Sequence, residues 1–135
     1  MKRIAALFFQ ARNERNRSLI ENYLADEIIF NAGCGKDGKE MSFKNSKEHH
    51  IYYHILQSED FYTNKTIVFQ IAEEDKVSTY FTVEGTHDKT YMGRPPTGNH
   101  VRYNAQYTMR FENDLIAEIW ATGDLHILFQ QIGVY

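Results

Sequence analysis

The sequence predicts an α+β fold: a strongly curved, mainly antiparallel sheet whose concave face is covered by about three helices. Three observations carry that expectation. Helical spacing of apolar residues dominates the first part of the chain, up to Gln57. Alternating stretches then dominate, above all Val77–Glu84 and Val101–Phe111. Helices followed by a run of strands is the order of an α+β domain, in which one face of the sheet must be covered. The third observation is punctuation: a rigid corner at Gly93-Arg94-Pro95-Pro96 and a two-residue turn at Asn113-Asp114 set strand directions.

Taken in order, Ile4, Leu7, Phe8 and Ala11 repeat at helical spacing, the polar stretch Arg12–Arg17 interrupts them, and Leu19, Ile20, Tyr23 and Leu24 resume the stripe. Two short helices or one broken helix are expected, with Asn13 or Asn16 as the internal cap. The polar stretch itself reads as a solvated helix face. Glu27–Asn31 is a short strand and Gly33–Gly38 a loop. A third helix is expected over Ser46–Gln57, capped by Asn45 with Glu48. Lys65–Ala72 alternates weakly. The Asn113-Asp114 turn pairs residue 111 with 116, 109 with 118 and 107 with 120. Tyr107, Met109, Phe111, Ile116, Glu118 and Trp120 then share one surface, and a glutamate stands out on it.

The 135 residues form one expected domain, large enough for a real core. Aromatics reach 14%, more than a core alone needs, so some are expected to line a cavity. The net charge of −3 and the lack of a basic block argue against nucleic acid, whose phosphates need clustered Lys and Arg. One cysteine, Cys34, permits no intrachain disulfide and fits a reducing, cytoplasmic setting. The apolar run Ile4–Phe9 is too short for a secretory leader, and no stretch nears the ~18 apolar residues of a membrane span.

At this point the chain resembles the SnoaL-like polyketide cyclase or ester cyclase family, within the nuclear transport factor 2-like superfold. Three pieces carry the resemblance: Gly85-Thr86-His87 running into Met92–Gly98; Val101–Phe111 followed by Leu115–Trp120; and Asp124 followed by Leu128 and Gln130–Gly133. The resemblance implies a cone-shaped α+β barrel, a deep cavity, frequent dimers, and acid/base chemistry without a cofactor in those members that are enzymes. The aspartate matching Asp124 is the proton shuttle proposed there, in an intramolecular aldol ring closure. This chain departs from the family's pattern in its loops. Asn113-Asp114 replaces the usual Asp-Gly hairpin, Asp88 a Gly, and Asn99 a Lys.

The candidate residues each have a structural alternative. Asp124 is the expected general acid/base, since an enolisable ketone needs a carboxylate to move its proton; it could equally cap a helix opening at Leu125. Trp120 and Tyr107 are aromatic walls or core. Glu118 is a second pocket acid or an ion-pair partner at the rim. His87 hydrogen-bonds a ligand oxygen or fixes its own loop. Arg94 pairs with a carboxylated ligand or faces solvent. Tyr53 and His54 line the pocket. His50 and His54 have metal-ligand spacing but no evident third ligand, so no metal is expected. The expected function is a cofactor-free cyclase or isomerase for a small, largely apolar carbonyl compound. The alternatives are a non-catalytic binder of a hydrophobic molecule with the same cavity, and an interaction protein whose cavity is filled by its own aromatics. A homodimer formed through the sheet's outer face is expected.

Overall fold

The computed structural model describes residues 1–56 and 61–133. Helix α1 (Lys2–Asn13) and α2 (Arg17–Asn22) precede β1 (Leu24–Cys34), β2 (Glu40–Ser46) and α3 (Lys47–His50). A π-helix, Ile51–Leu56, continues from α3. Strands β3 (Thr63–Glu73), β4 (Lys76–Thr86), β5 (His100–Glu112) and β6 (Leu115–Gly123) follow, and α4 (Leu125–Gln131) closes the described chain. The six strands form one curved sheet in the order β2-β1-β6-β5-β4-β3, antiparallel except where β1 runs parallel to β6. No helix among the described residues is long and apolar enough to cross a membrane.

The break between the first two helices falls where the sequence places it. Asn16 leaves helical geometry and its side chain accepts from the Leu19 amide at 3.2 Å. Asn13 does something else. Its Oδ1 accepts from Lys65 N and its Nδ2 donates to Lys65 O, both at 2.8 Å, so the end of α1 is fastened to β3. The third helix differs from expectation. Ser46, not Asn45, caps it, accepting from His49 N. After His50 the turns widen into the π-helix, which no Gly or Pro marks in the sequence. The expected end at Gln57 lies outside the described residues.

β2 was not foreseen. It is an edge strand, nearly all exposed, so no buried alternation betrays it. Of the glycines expected in a loop, Gly35 and Gly38 (φ 77°) lie in the β1–β2 connection, while Gly33 (φ 87°) sits within β1 at the register shift between Asn31 and Cys34. The hairpin at Asn113 (φ 50°) and Asp114 (φ 62°) forms as the sequence predicts. Its register does not hold. Phe111 pairs with Ile116, but a bulge follows, and Arg110 pairs with Glu118, Met109 with Ile119, Thr108 with Trp120 and Tyr107 with Ala121.

The bulge turns two expected inward residues outward. Before it Ile116 is buried; beyond it Ile119 is buried, while Glu118 and Trp120 join Arg110 and Thr108 on the other face. The large apolar cluster lies on the concave side, where Phe8, Phe9 and Ile20 from the helices meet Phe81, Met109 and Ile119 from the sheet. A smaller cluster of Phe61, Val101, Leu128 and Ile132 holds α4.

Asn13→Ala should remove both bonds between α1 and β3 and leave buried Lys65 backbone groups unmatched. A loss of about 1–3 kcal/mol is expected, read as a lower guanidinium midpoint with an unchanged m-value. An unchanged midpoint would show that α1 is held by packing alone.

Candidate functional site

A hollow of about 330 Å³ lies between the helices and the concave face. Its existence follows from missing volume. Ala105, Ala121 and Gly123 sit together on neighbouring strands, Ala105 being paired with Gly123. No side chain there is longer than a methyl group. Around them Phe30, Phe61, Phe81, Tyr91, Tyr103 and Tyr107 form aromatic walls. The exposed residues Thr122, Gly123 and Leu125 also border the hollow, so it opens to solvent where β6 ends. The inner end is lined by Arg12, Thr63 and Lys65, which are buried.

Two of those inner residues are cations. Arg12 is 5% exposed and Lys65 7%. Lys65 Nζ donates to Thr63 Oγ1 at 3.1 Å. Arg12 Nη1 donates to Tyr107 Oη at 3.4 Å, and its guanidinium lies 5.6 Å from the Tyr107 ring centre and 5.9 Å from that of Phe8. Stacking on aromatic faces and hydrogen bonds partly offset the cost of burying such a group. Among the described lining residues none is Asp or Glu.

Arg12 corrects the expectation of a solvated face from residue 12 to 17. It follows Phe8 by four residues and so continues the buried stripe. Lys65 likewise continues a period of two through Phe61 and Thr63, all buried. That alternation was the available signal; charge had assigned Arg12 to solvent, and Lys65 was read only as the start of a weakly alternating stretch.

The foreseen residues divide. Tyr107 and His54 line the hollow. Tyr53 does not; it is 51% exposed, its ring 4.4 Å from that of His49. Trp120, at 36% exposure, lies on the outer face, turned there by the bulge. Glu118 is on that face too, accepting from Arg110 Nε at 3.1 Å and from Asn31 Nδ2 at 3.0 Å. It forms the ion pair that was its structural alternative.

His87 is fully buried but not in the wall. Its Nδ1 accepts from Thr97 N at 3.3 Å and lies 2.9 Å from Thr97 Oγ1. Its backbone bonds to Asn99 O and Gly98 N. It therefore ties the 97–99 loop to β4, behind the wall residue Phe61, whose ring is 5.4 Å away. Arg94 is exposed in a tight turn bridged to Tyr91.

Asp124 is exposed. It occupies the N-cap position of α4, yet its side chain makes no cap hydrogen bond. Its amide donates to Asn104 O at 2.9 Å, which fixes the backbone at the opening between two lining residues, Gly123 and Leu125. Asp124 thus lies between two rim residues in the chain without itself lining the hollow.

A histidine cluster flanks the hollow. His50 and His54 stack at 5.4 Å, and Phe30 lies 5.3 Å from His50. Burial chiefly, then the neighbouring His54, Arg12 and His49, hold the His50 pKa down to about 3. Burial and His49 also lower that of His54. Among the described residues no three His, Cys, Asp or Glu side chains are placed to hold a metal ion.

Known proteins bear on this geometry. The SnoaL-like polyketide cyclase family model matches residues 2–132. No functionally curated protein matches the sequence. Among solved structures, the chain is similar to AclR, a proposed hydroxylase from Streptomyces galilaeus (22% identity, TM-score 0.81, covering 99% of this chain and 81% of that one). It is also similar to IdmH, a proposed polyketide cyclase from Streptomyces antibioticus (19%, TM-score 0.82, 98% and 97%). A third is a proposed SnoaL-like polyketide cyclase from Jannaschia (14%, TM-score 0.83, 98% and 91%). At these identities the likeness establishes the fold.

The depressed His50 pKa makes a pH prediction. The folded state holds this group neutral below the 6.5 at which the unfolded chain takes up a proton. Its contribution is fully present above pH 6.5 and is lost progressively as the pH falls toward about 3. Melting temperature should fall between pH 7 and pH 4, and His50→Leu should flatten that slope. A variant slope as steep as the wild type's would assign the acid sensitivity to other groups.

Proposed function

The chain belongs to the SnoaL-like polyketide cyclase family, and from that premise we propose that it binds a small, largely apolar carbonyl compound and acts on it by cofactor-free proton transfer, as a cyclase or isomerase. The observation that carries this proposal is the hollow itself: aromatic walls, methyl-sized residues among them, and an opening bordered by Gly123 and Leu125, between which Asp124 lies in the chain. Planar ligands pack well on such walls. Asp124 is the proposed acid/base. It takes a proton from carbon next to the ligand's carbonyl as the ligand fills the opening and displaces water from the rim. Tyr107 is a ligand contact, its ring forming wall and its hydroxyl lying beside Arg12. His54 is a second contact. His87 is better suited to positioning Phe61 than to touching a ligand. The functions proposed for the structural neighbours include hydroxylation as well as cyclisation, so the fold does not select between reactions.

A non-catalytic binder is the second reading, and one observation favours it: Asp124 is exposed, and no acid lines the described wall.

The two separate on one substrate. In deuterium oxide with β-tetralone, an enolisable aromatic ketone, the protein should speed exchange of the protons next to the carbonyl. Asp124→Asn should reduce that exchange about 100-fold or more while β-tetralone affinity and melting temperature stay near wild type. Binding without exchange above the buffer rate would instead establish the binder.

A further inference from the structure

Asp124 heads a helix of only seven residues, Leu125–Gln131, and its side chain makes no cap bond to it. A helix that short has no stability of its own in water, so tertiary attachment decides where it lies. Part of that attachment is apolar. Leu128 and Ile132 pack with Phe61 and Val101 in a cluster separate from the main core. Such packing is non-directional and leaves a helix free to slide or turn by small amounts.

The directional part comes from β5. β6 pairs with β5 only as far as Ala105 and Gly123, while β5 begins at His100. The start of β5 therefore runs past the end of β6, and α4 takes the edge that β6 leaves. The Asp124 amide donates to Asn104 O at 2.9 Å. Two residues earlier in β5, the Gln131 side chain closes a ring with the Arg102 backbone: Oε1 accepts from Arg102 N and Nε2 donates to Arg102 O, each at 2.9 Å. This reproduces the double exchange that an opposed residue makes in an antiparallel pair. Residues 124 and 131 are close to two helical turns apart, so both fall on the side of α4 that meets β5. Asn99 secures the same end. Its Nδ2 donates at 2.9 Å to Gln131 O, a carbonyl in the last turn of α4. Asn99 is itself placed by its loop: its amide donates to Thr97 Oγ1 at 3.1 Å, and its carbonyl accepts from His87 N at 2.9 Å. Thr97 Oγ1 lies 2.9 Å from Nδ1 of the fully buried His87. A run of bonds thus leads from a buried imidazole through Thr97 and Asn99 to the end of α4.

We infer that Gln131 is a positioning residue for Asp124: together with Asn99 it fixes the slide and rotation of α4 against β5, and so where the carboxylate stands relative to the rim residues Gly123 and Leu125. This rests on Asp124 being the proton carrier, as proposed above. The lever is short, since seven residues of helix span about 10 Å. At the head of α4 the amide of Asp124 is tied, and the carboxylate follows wherever that end of the helix is set. Reacting groups must meet at about 3–3.5 Å, and a misplacement of about 1 Å costs up to roughly 100-fold in rate. Leu125 and Leu128 move with the same helix and line the hollow. Their apolar contacts tolerate a small shift better than a proton transfer does. The effect of freeing Gln131 therefore falls on kcat more than on KM.

Deuterium exchange into β-tetralone tests this, run well below the melting temperature of every variant. Gln131→Met keeps the length and helix propensity of the side chain and loses both bonds to Arg102. It should lower kcat about tenfold and move KM by less than about threefold. Backbone amides of α4 should exchange with solvent about tenfold faster in the same variant. Gln130→Met, at the exposed neighbouring residue, should match the wild type in all three. Asn99→Ala removes the bond to Gln131 O and should act in the same direction more weakly; it takes over if Gln131→Met does not fold. Unchanged kcat, or unchanged amide exchange in α4, would overturn the inference. So would a rise in KM at constant kcat, which would make α4 a wall only, and an equal loss in Gln130→Met. If the wild type exchanges no faster than buffer, the acid/base reading fails and the inference with it. If the wild type exchanges and the variants keep pace, only the positioning role of Gln131 fails.

Discussion

The bulge after Ile116 is the constraint on which the concave face depends. One additional residue in β6 lets Ile116 and Ala117 both be buried and then returns alternation in the opposite phase. Without it, Glu118 and Trp120 would point into the hollow, and Ile119 and Ala121 would point out. An indole would fill most of the space that Ala121 leaves, and a carboxylate would point into the apolar core beside Met109. With it, the outer face gains the Arg110–Glu118–Asn31 network, which ties β5, β6 and β1 together. The inner face gains a small residue beside Tyr107. A single backbone irregularity therefore decides which residues of β6 face the hollow.

Most of the architecture was legible because it rests on periodicity. The two N-terminal helices, β4, β5 and the Asn113-Asp114 hairpin each announce themselves by spacing or by residues that tolerate positive φ. The bulge was not legible. The run Ile116-Ala117-Glu118-Ile119-Trp120 fits a sheet in either phase: Ile116 and Trp120 alternate with Ala117 and Ile119, and alanine is at home on both faces. β2 was missed because an exposed edge strand has no buried side to pattern. Arg12 and Lys65 were missed for a different reason. Both positions obey a buried periodicity; Arg12 was nevertheless given to a solvated face because of its charge, and Lys65 opens a stretch whose alternation is too weak to single it out.

Those two residues are where sequence rules and structure disagree most, and such disagreements are expected to gather at functional sites. A cation in a wall of aromatic rings weakens the fold relative to an apolar residue of the same size. The molecule nevertheless assigns hydrogen bonds and ring faces to hold both: Thr63 for Lys65, and Tyr107 with Phe8 for Arg12. Asn13 adds two bonds whose effect is to bring the strand bearing Lys65 against the helix bearing Arg12. By contrast the expected acids, Glu118 and Asp124, lie outside the hollow or at its rim, and His87 serves a loop.

This distribution changes how proton transfer in such a site would be achieved. A carboxylate buried in apolar surroundings becomes a stronger base, and the sequence had pointed to that route through Asp124 beside Trp120. The geometry does not take that route, since Asp124 is exposed and Trp120 lies on the outer face. An exposed carboxylate keeps its water until something displaces it. Under the proposed function the ligand itself, by filling the opening and excluding that water, has to complete the environment in which Asp124 would work.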